Sequence, residues 1–198
     1  MPDDLAHIQQ LIRRMVDQDD PQASRDFFDL FYLPLTRFAL VFVYRLEAAE
    51  DVVSTVFYQV FKQKKRLLAI QDIRYYLYRA VRNQAITYQK RNKLYTSDLY
   101  SSPDIPIQDV EHSTPESEYV FQELSEIVRN IIEKMPPQRR TVYQLVFHDR
   151  FKYREVAELL QISEKTVENH MRLAIRDVRQ QVQSAYGNQQ KDSARLSC

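Results

Sequence analysis

Apolar side chains recur along this chain every three or four residues, which is the signature of helices that bury one face. Between Ala23 and Val43 apolar and aromatic side chains fall at helical spacing, among them Phe27, Phe28, Phe31, Leu35, Phe38 and Phe42. Pro34 falls inside this run and predicts a break or kink between two helices. A second stripe, Val52, Val53, Val56, Phe57, Val60 and Phe61, follows the acids Glu47, Glu50 and Asp51, which favour a helix N-terminus. A third helix is expected from Asp72, a candidate cap, to Lys93, with Ile73, Leu77, Ala80, Val81, Ala85 and Ile86 on its apolar face. The pattern then lapses from Thr96 to Pro115, where Ser97, Ser101, Ser102, Pro103, Pro106 and Ser113 punctuate scattered acids. That stretch reads as a flexible, solvated tether. Periodicity returns from Glu116 to Lys134 through Val120, Leu124, Ile127, Val128, Ile131 and Ile132. Pro136 and Pro137 end that helix. A second helical block runs from Gln138 to Val182, and the polar tail from Gly187 is expected to be disordered.

The sharpest local signal lies between Arg154 and Val182. Val156, Ala157, Leu159 and Leu160 form one short amphipathic helix, and Gln161 and Ile162 form a tight connection. Ser163 suits an N-cap, with Glu164 in the first turn. Val167, Met171, Ala174 and Val178 then repeat at helical spacing. Small Ala157 allows close approach of the two helices, and Ile162 can plug their shared core. This is a helix-turn-helix. Its second helix carries Lys165, Thr166, Asn169, His170 and Arg172 near its start, donors suited to phosphates and base edges in a major groove. Gln161 stands where a left-handed residue, often Gly, is needed, at a cost of roughly 1 kcal/mol. Glu168 either reads a cytosine amino group or faces solvent.

Composition narrows the field. One Gly and eight Pro in 198 residues argue against a turn-rich β fold and against any Gly-rich phosphate loop. The single cysteine, Cys198, suits a reducing cytoplasm. No basic, then apolar, leader opens the sequence, and the most apolar run, Phe38 to Tyr44, is too short to span a bilayer. His7, His112, His148 and His170 are scattered without metal-ligand spacing, and no nucleophile signature appears. The chain is therefore expected to lack catalytic and metal sites and to need no cofactor or small-molecule substrate.

The formal net charge of +1 conceals a strong asymmetry. Ten basic residues and one acid, Asp72, lie between Lys62 and Tyr95, whereas Thr96 to Glu126 holds eight acids and no Lys or Arg. The basic block points towards a nucleic-acid partner, or is a solvated helix face beside an acidic linker.

The stretch MPPQRRTVYQLVFHDRFKYREVAELLQISEKTVENHMRLAIRDVR, Met135 to Arg179, resembles region 4 of the extracytoplasmic-function sigma factors. ISEKTVENH alone would also suit a LuxR-type regulator that does not join the polymerase. AEDVVSTVFYQVF, from Ala49, resembles sigma region 2.2, and IRYYLYRAVRNQAITYQKRNK, from Ile73, resembles regions 2.3 and 2.4. The resemblance covers about Phe27 to Val182. It implies an all-α fold of two helical domains: a region 2 helical bundle over 1–95 and a region 4 helix-turn-helix over 116–185, joined by a linker over 96–115 and followed by a tail over 186–198. It also implies that Glu50, Asp51, Ser54 and Thr55 dock on the β′ clamp coiled coil of core RNA polymerase, with β a further contact. Ser54, Thr55 and Phe61 depart from the family's usual Gln, acid and Trp. Arg79, Arg82 and Asn83 would face the minus-ten promoter element. Lys90, Arg91 and Lys93 would hold phosphates. The loop from Leu68 to Asp72 would hold a flipped base, with Tyr75, Tyr76 and Tyr88 as stacking partners or as plain packing residues. Ser163, Lys165, Thr166, Asn169, His170 and Arg172 would read the minus-thirty-five duplex. A membrane-linked anti-sigma factor is a further partner that the resemblance suggests.

Overall fold

The computed structural model describes residues 2–92 and 128–195, with side chains over 5–91 and 128–183. The described residues are all-α. They divide into two units, Met1–Asp104 and Ile105–Cys198.

The first unit contains α1 (Pro2–Asp17), α2 (Pro21–Val43), α3 (Leu46–Lys62) and α4 (Ile73–Asn92), with a 3-10 turn at Lys64–Ala69. α2 packs against α1, α3 and α4. Its core combines aliphatic and aromatic side chains. Phe27, Leu35, Val52, Val53, Leu77 and Val81 are fully enclosed, and Phe27 meets Phe57 edge-on at 6.4 Å between ring centroids. Tyr78, which the apolar pattern passes over, is buried against Phe38 with centroids 4.9 Å apart.

The expected break at Pro34 does not occur: α2 runs unbroken through it. Proline removes one donor and crowds the Leu30 carbonyl. However, the buried residues on either side of it, Phe27 and Phe31 before and Leu35 and Phe38 after, hold both halves in one core. Leu30 and Leu33 are exposed, so water reaches the side of the helix where a partner is lost. The helix ends instead at Tyr44, in the left-handed conformation with φ 58°.

The N-terminal segment, outside the resemblance, is a helix with its own share of the core. Ile8, Leu11, Ile12 and Met15 are buried along one face of α1. Asp20 starts α2, accepting from the backbone N–H groups of Gln22 and Ala23, and Arg14 clamps the same carboxylate at 2.7 Å. Asp72 caps α4 as expected, accepting from Tyr75 N–H at 2.9 Å.

The second unit is described from a helical stretch over 128–133, here α5, whose expected start near Glu116 lies outside the described residues. The same is true of the tether over 96–115. There follow α6 (Pro137–Tyr143), a π turn at Gln144–His148, α7 (Tyr153–Leu160) and α8 (Glu164–Arg195). α6 and α7 both pack on α8. Val142, Leu145, Val156, Leu159, Val167, Met171 and Ala174 form the core. Arg140 reaches back to the Glu133 and Met135 carbonyls, satisfying acceptors at the end of α5.

α8 continues past Gly187 to Arg195, where a disordered tail was expected. Once a helix is nucleated, each added residue gains a backbone bond, and one Gly costs only about 1 kcal/mol. No described helix is long and apolar enough to cross a membrane.

Candidate nucleic-acid interface

α7 and α8 form the helix-turn-helix, and the turn shows why it closes without glycine. Gln161 takes the left-handed conformation at φ 55°, ψ 44°. Its N–H and that of Ile162 both reach the Ala157 carbonyl, the latter at 3.1 Å, which satisfies the end of α7. Ser163 then opens α8, its Oγ accepting from Thr166 N–H at 3.0 Å. Ile162 is half-buried in the turn.

Val167, Met171 and Ala174 turn into the core, so the opposite sector of α8 faces out. That sector carries Lys165, Asn169, Arg172 and Arg176, at steps of four, three and four residues. Arg172 donates to Asn169 Oδ1 at 3.0 Å, which aligns the amide and guanidinium side by side. Glu168 pairs with Lys165 at 2.9 Å, both exposed, an ion pair of small energy. The remaining sequence-predicted residues sit differently. Ser163 and Thr166 share a hydroxyl contact of 2.8 Å and serve the helix start. His170 is half-buried at the edge of the core, its Nδ1 enclosed without a hydrogen-bond partner. Arg176 belongs to the outward stripe but was not singled out in the sequence; its spacing of four from Arg172, opposite Val167, Met171 and Ala174, is the signal that marks it.

α4 sorts its residues in the same way. Leu77, Tyr78, Val81 and Ala85 are buried. Tyr76, Arg79, Asn83 and Lys90 recur at steps of three, four and seven residues, so they share the outward face. Tyr76 is 38% exposed and available for stacking. Arg82 is half-buried beside this stripe and donates to Asn83 Oδ1 at 3.3 Å. Tyr88 is turned about 120° from Tyr76 and is half-buried on the packed side. Arg91 is exposed but off the stripe, Tyr75 is half-buried, and Lys93 lies outside the described residues.

On α3, Ala49, Val52, Val53, Val56 and Val60 face the core. Glu47, Asp51, Ser54, Tyr58 and Lys62 form the outer stripe. Asp51 and Ser54 are therefore free to meet a partner. Thr55 is half-buried and donates to the Asp51 carbonyl at 2.8 Å. Glu50 is half-buried and faces Tyr32, whose phenol is pushed up, first by burial and then by the Glu50 charge. Tyr58, 63% exposed with Lys62 over its ring at 5.8 Å, is an exposed aromatic on α3 that the sequence pattern did not single out.

The turn geometry and the polar outer stripe of α8 define a DNA-binding helix-turn-helix. Residues 125–178 match the family described as Sigma-70, region 4. That segment is thus similar to a non-enzymatic, DNA-binding family whose role is promoter recognition. The match spans the described α5 through the outward stripe of α8. No curated protein matches the chain.

Proposed function

We propose that this chain is a sigma factor of the extracytoplasmic-function type, a cytoplasmic subunit that directs core RNA polymerase to its promoters and assists their melting. The observation that carries this reading is the outward stripe of Lys165, Asn169 and Arg172 on α8, inside the segment similar to sigma-70 region 4. Unit two, as a region 4 domain over 116–185, reads the minus-thirty-five duplex through that stripe. Unit one acts as region 2 over 1–95. Its α4 face of Tyr76, Arg79, Asn83 and Lys90, with Arg82 beside it, suits a single strand: cations for phosphates and an aromatic ring for a base. Asp51 and Ser54 of α3, with Glu50 and Thr55 at their flanks, supply the docking face for the β′ clamp.

The decisive experiment mixes the protein with core RNA polymerase from its own host and fragmented genomic DNA, then sequences the transcripts. Protein-dependent start sites that share two spaced upstream elements are expected. Tight duplex binding without any protein-dependent start would instead mark a LuxR-type regulator.

A further inference from the structure

We propose that Arg176 is a further phosphate-contacting residue of the duplex-binding face, and that Asp177, fixed by Arg139 of α6, is the positioning residue that orients it. The inference rests on the reading of α8 as the helix that enters duplex DNA.

The outward stripe does not stop at Arg172. From Lys165 to Arg176 it extends about 16 Å along the helix axis. The major groove is about 12 Å wide, so with the start of α8 over the base edges the far end of the stripe meets a groove wall, which is phosphate. A cation is the group such a position needs, and Arg176 is 55% exposed there.

Its guanidinium is not free to wander. Arg176 Nε and Nη2 donate to Asp177 Oδ1 at 3.4 and 3.2 Å. The other carboxylate oxygen, Oδ2, accepts from Arg139 Nη1, a contact linking α6 to α8. Arg139 and Asp177 are only 18% and 21% exposed, so this pair is the fixed part of the cluster. An arginine fork carries five donors, and those not directed at Asp177 remain available to a phosphate. Arg139 already balances the carboxylate, so Asp177 orients Arg176 without cancelling its charge. Part of the ordering that docking requires is thereby present in the free protein.

Full-length protein is titrated with a mixed-sequence DNA duplex by fluorescence anisotropy across a salt series. Arg176→Ala is expected to make the slope of log affinity against log salt shallower by about 0.9, the loss of one phosphate contact. Arg25→Ala, an exposed cation on α2, is expected to leave the slope unchanged. Asp177→Asn removes a negative charge, so general electrostatics alone would tighten binding. Positioning predicts the reverse: several-fold weaker binding with a shallower slope. If circular dichroism shows that Asp177→Asn does not fold, Arg176→Lys decides the point, since it keeps the charge but cannot fork. Several-fold weaker binding by that variant supports the role, and wild-type affinity overturns it. An unchanged slope in Arg176→Ala, or an equal change in Arg25→Ala, overturns the inference and leaves the reading of α8 standing. Wild-type protein without salt-sensitive duplex binding overturns both.

Discussion

Single residues at the turn of the helix-turn-helix carry opposing local costs. Gln161 holds a left-handed backbone that only glycine takes without strain. Ser163 offsets part of that cost by capping α8. Gln161→Gly is expected to stabilise the second unit by about 0.5–1 kcal/mol, because relief of strain exceeds the added freedom of the unfolded chain. Ser163→Ala is expected to destabilise it by about 1 kcal/mol. Thermal melts of the two variants check both signs. These features were legible in sequence because a cap and a turn depend on neighbours only a few positions away. The partly buried Arg139–Asp177 pair was not, because its partners are 38 positions apart.

At the scale of elements, each helix presents one sector to its neighbours and leaves another for function. Arg82 and Asn83 meet through a hydrogen bond at the border of the α4 outward face. Their joint replacement by Ala is expected to reduce promoter opening at least tenfold, about 1.4 kcal/mol. Core-polymerase binding is expected to stay within twofold, since the proposed docking face lies on α3. Permanganate footprinting and pull-down measure the two outcomes separately. The junction of α1 and α2 makes a different prediction. The Arg14 guanidinium, helped by the Gln22 and Ala23 N–H groups, holds the Asp20 carboxyl below its ordinary 3.8. A depressed carboxylate adds stability above its ordinary value and loses it as pH falls through the lower, folded value. The first unit is therefore expected to weaken below about pH 4, and Asp20→Asn, which keeps a capping side chain, to flatten that response. Urea midpoints at about pH 7 and about pH 3 give the comparison.

For the whole molecule, a net charge of +1 makes local stripes, not overall charge, set the attraction to DNA. Lys165, Arg172 and Arg176 together supply three cations on α8. Three neutralised phosphates give a salt slope of about −2.7, so a fourfold rise in salt is expected to weaken duplex binding about 40-fold. A flat salt response in an anisotropy titration would remove this stripe from the interface.

The all-helical class, the long helices and the helix-turn-helix were determined by sequence alone. Periodicity fixes which residues of one helix share a face, and caps and turns are local events. Tertiary structure decided which sector of each helix was covered. Packing against α2 turned Glu50 towards Tyr32 and drew Tyr78 inside, while Tyr88 fell on the covered side of α4. In unit two it left His170 at the core edge. It also kept α2 one helix through Pro34, because burial on both sides of one proline outweighs one lost backbone bond. Those choices depend on surfaces brought together from distant parts of the chain, which no local pattern encodes.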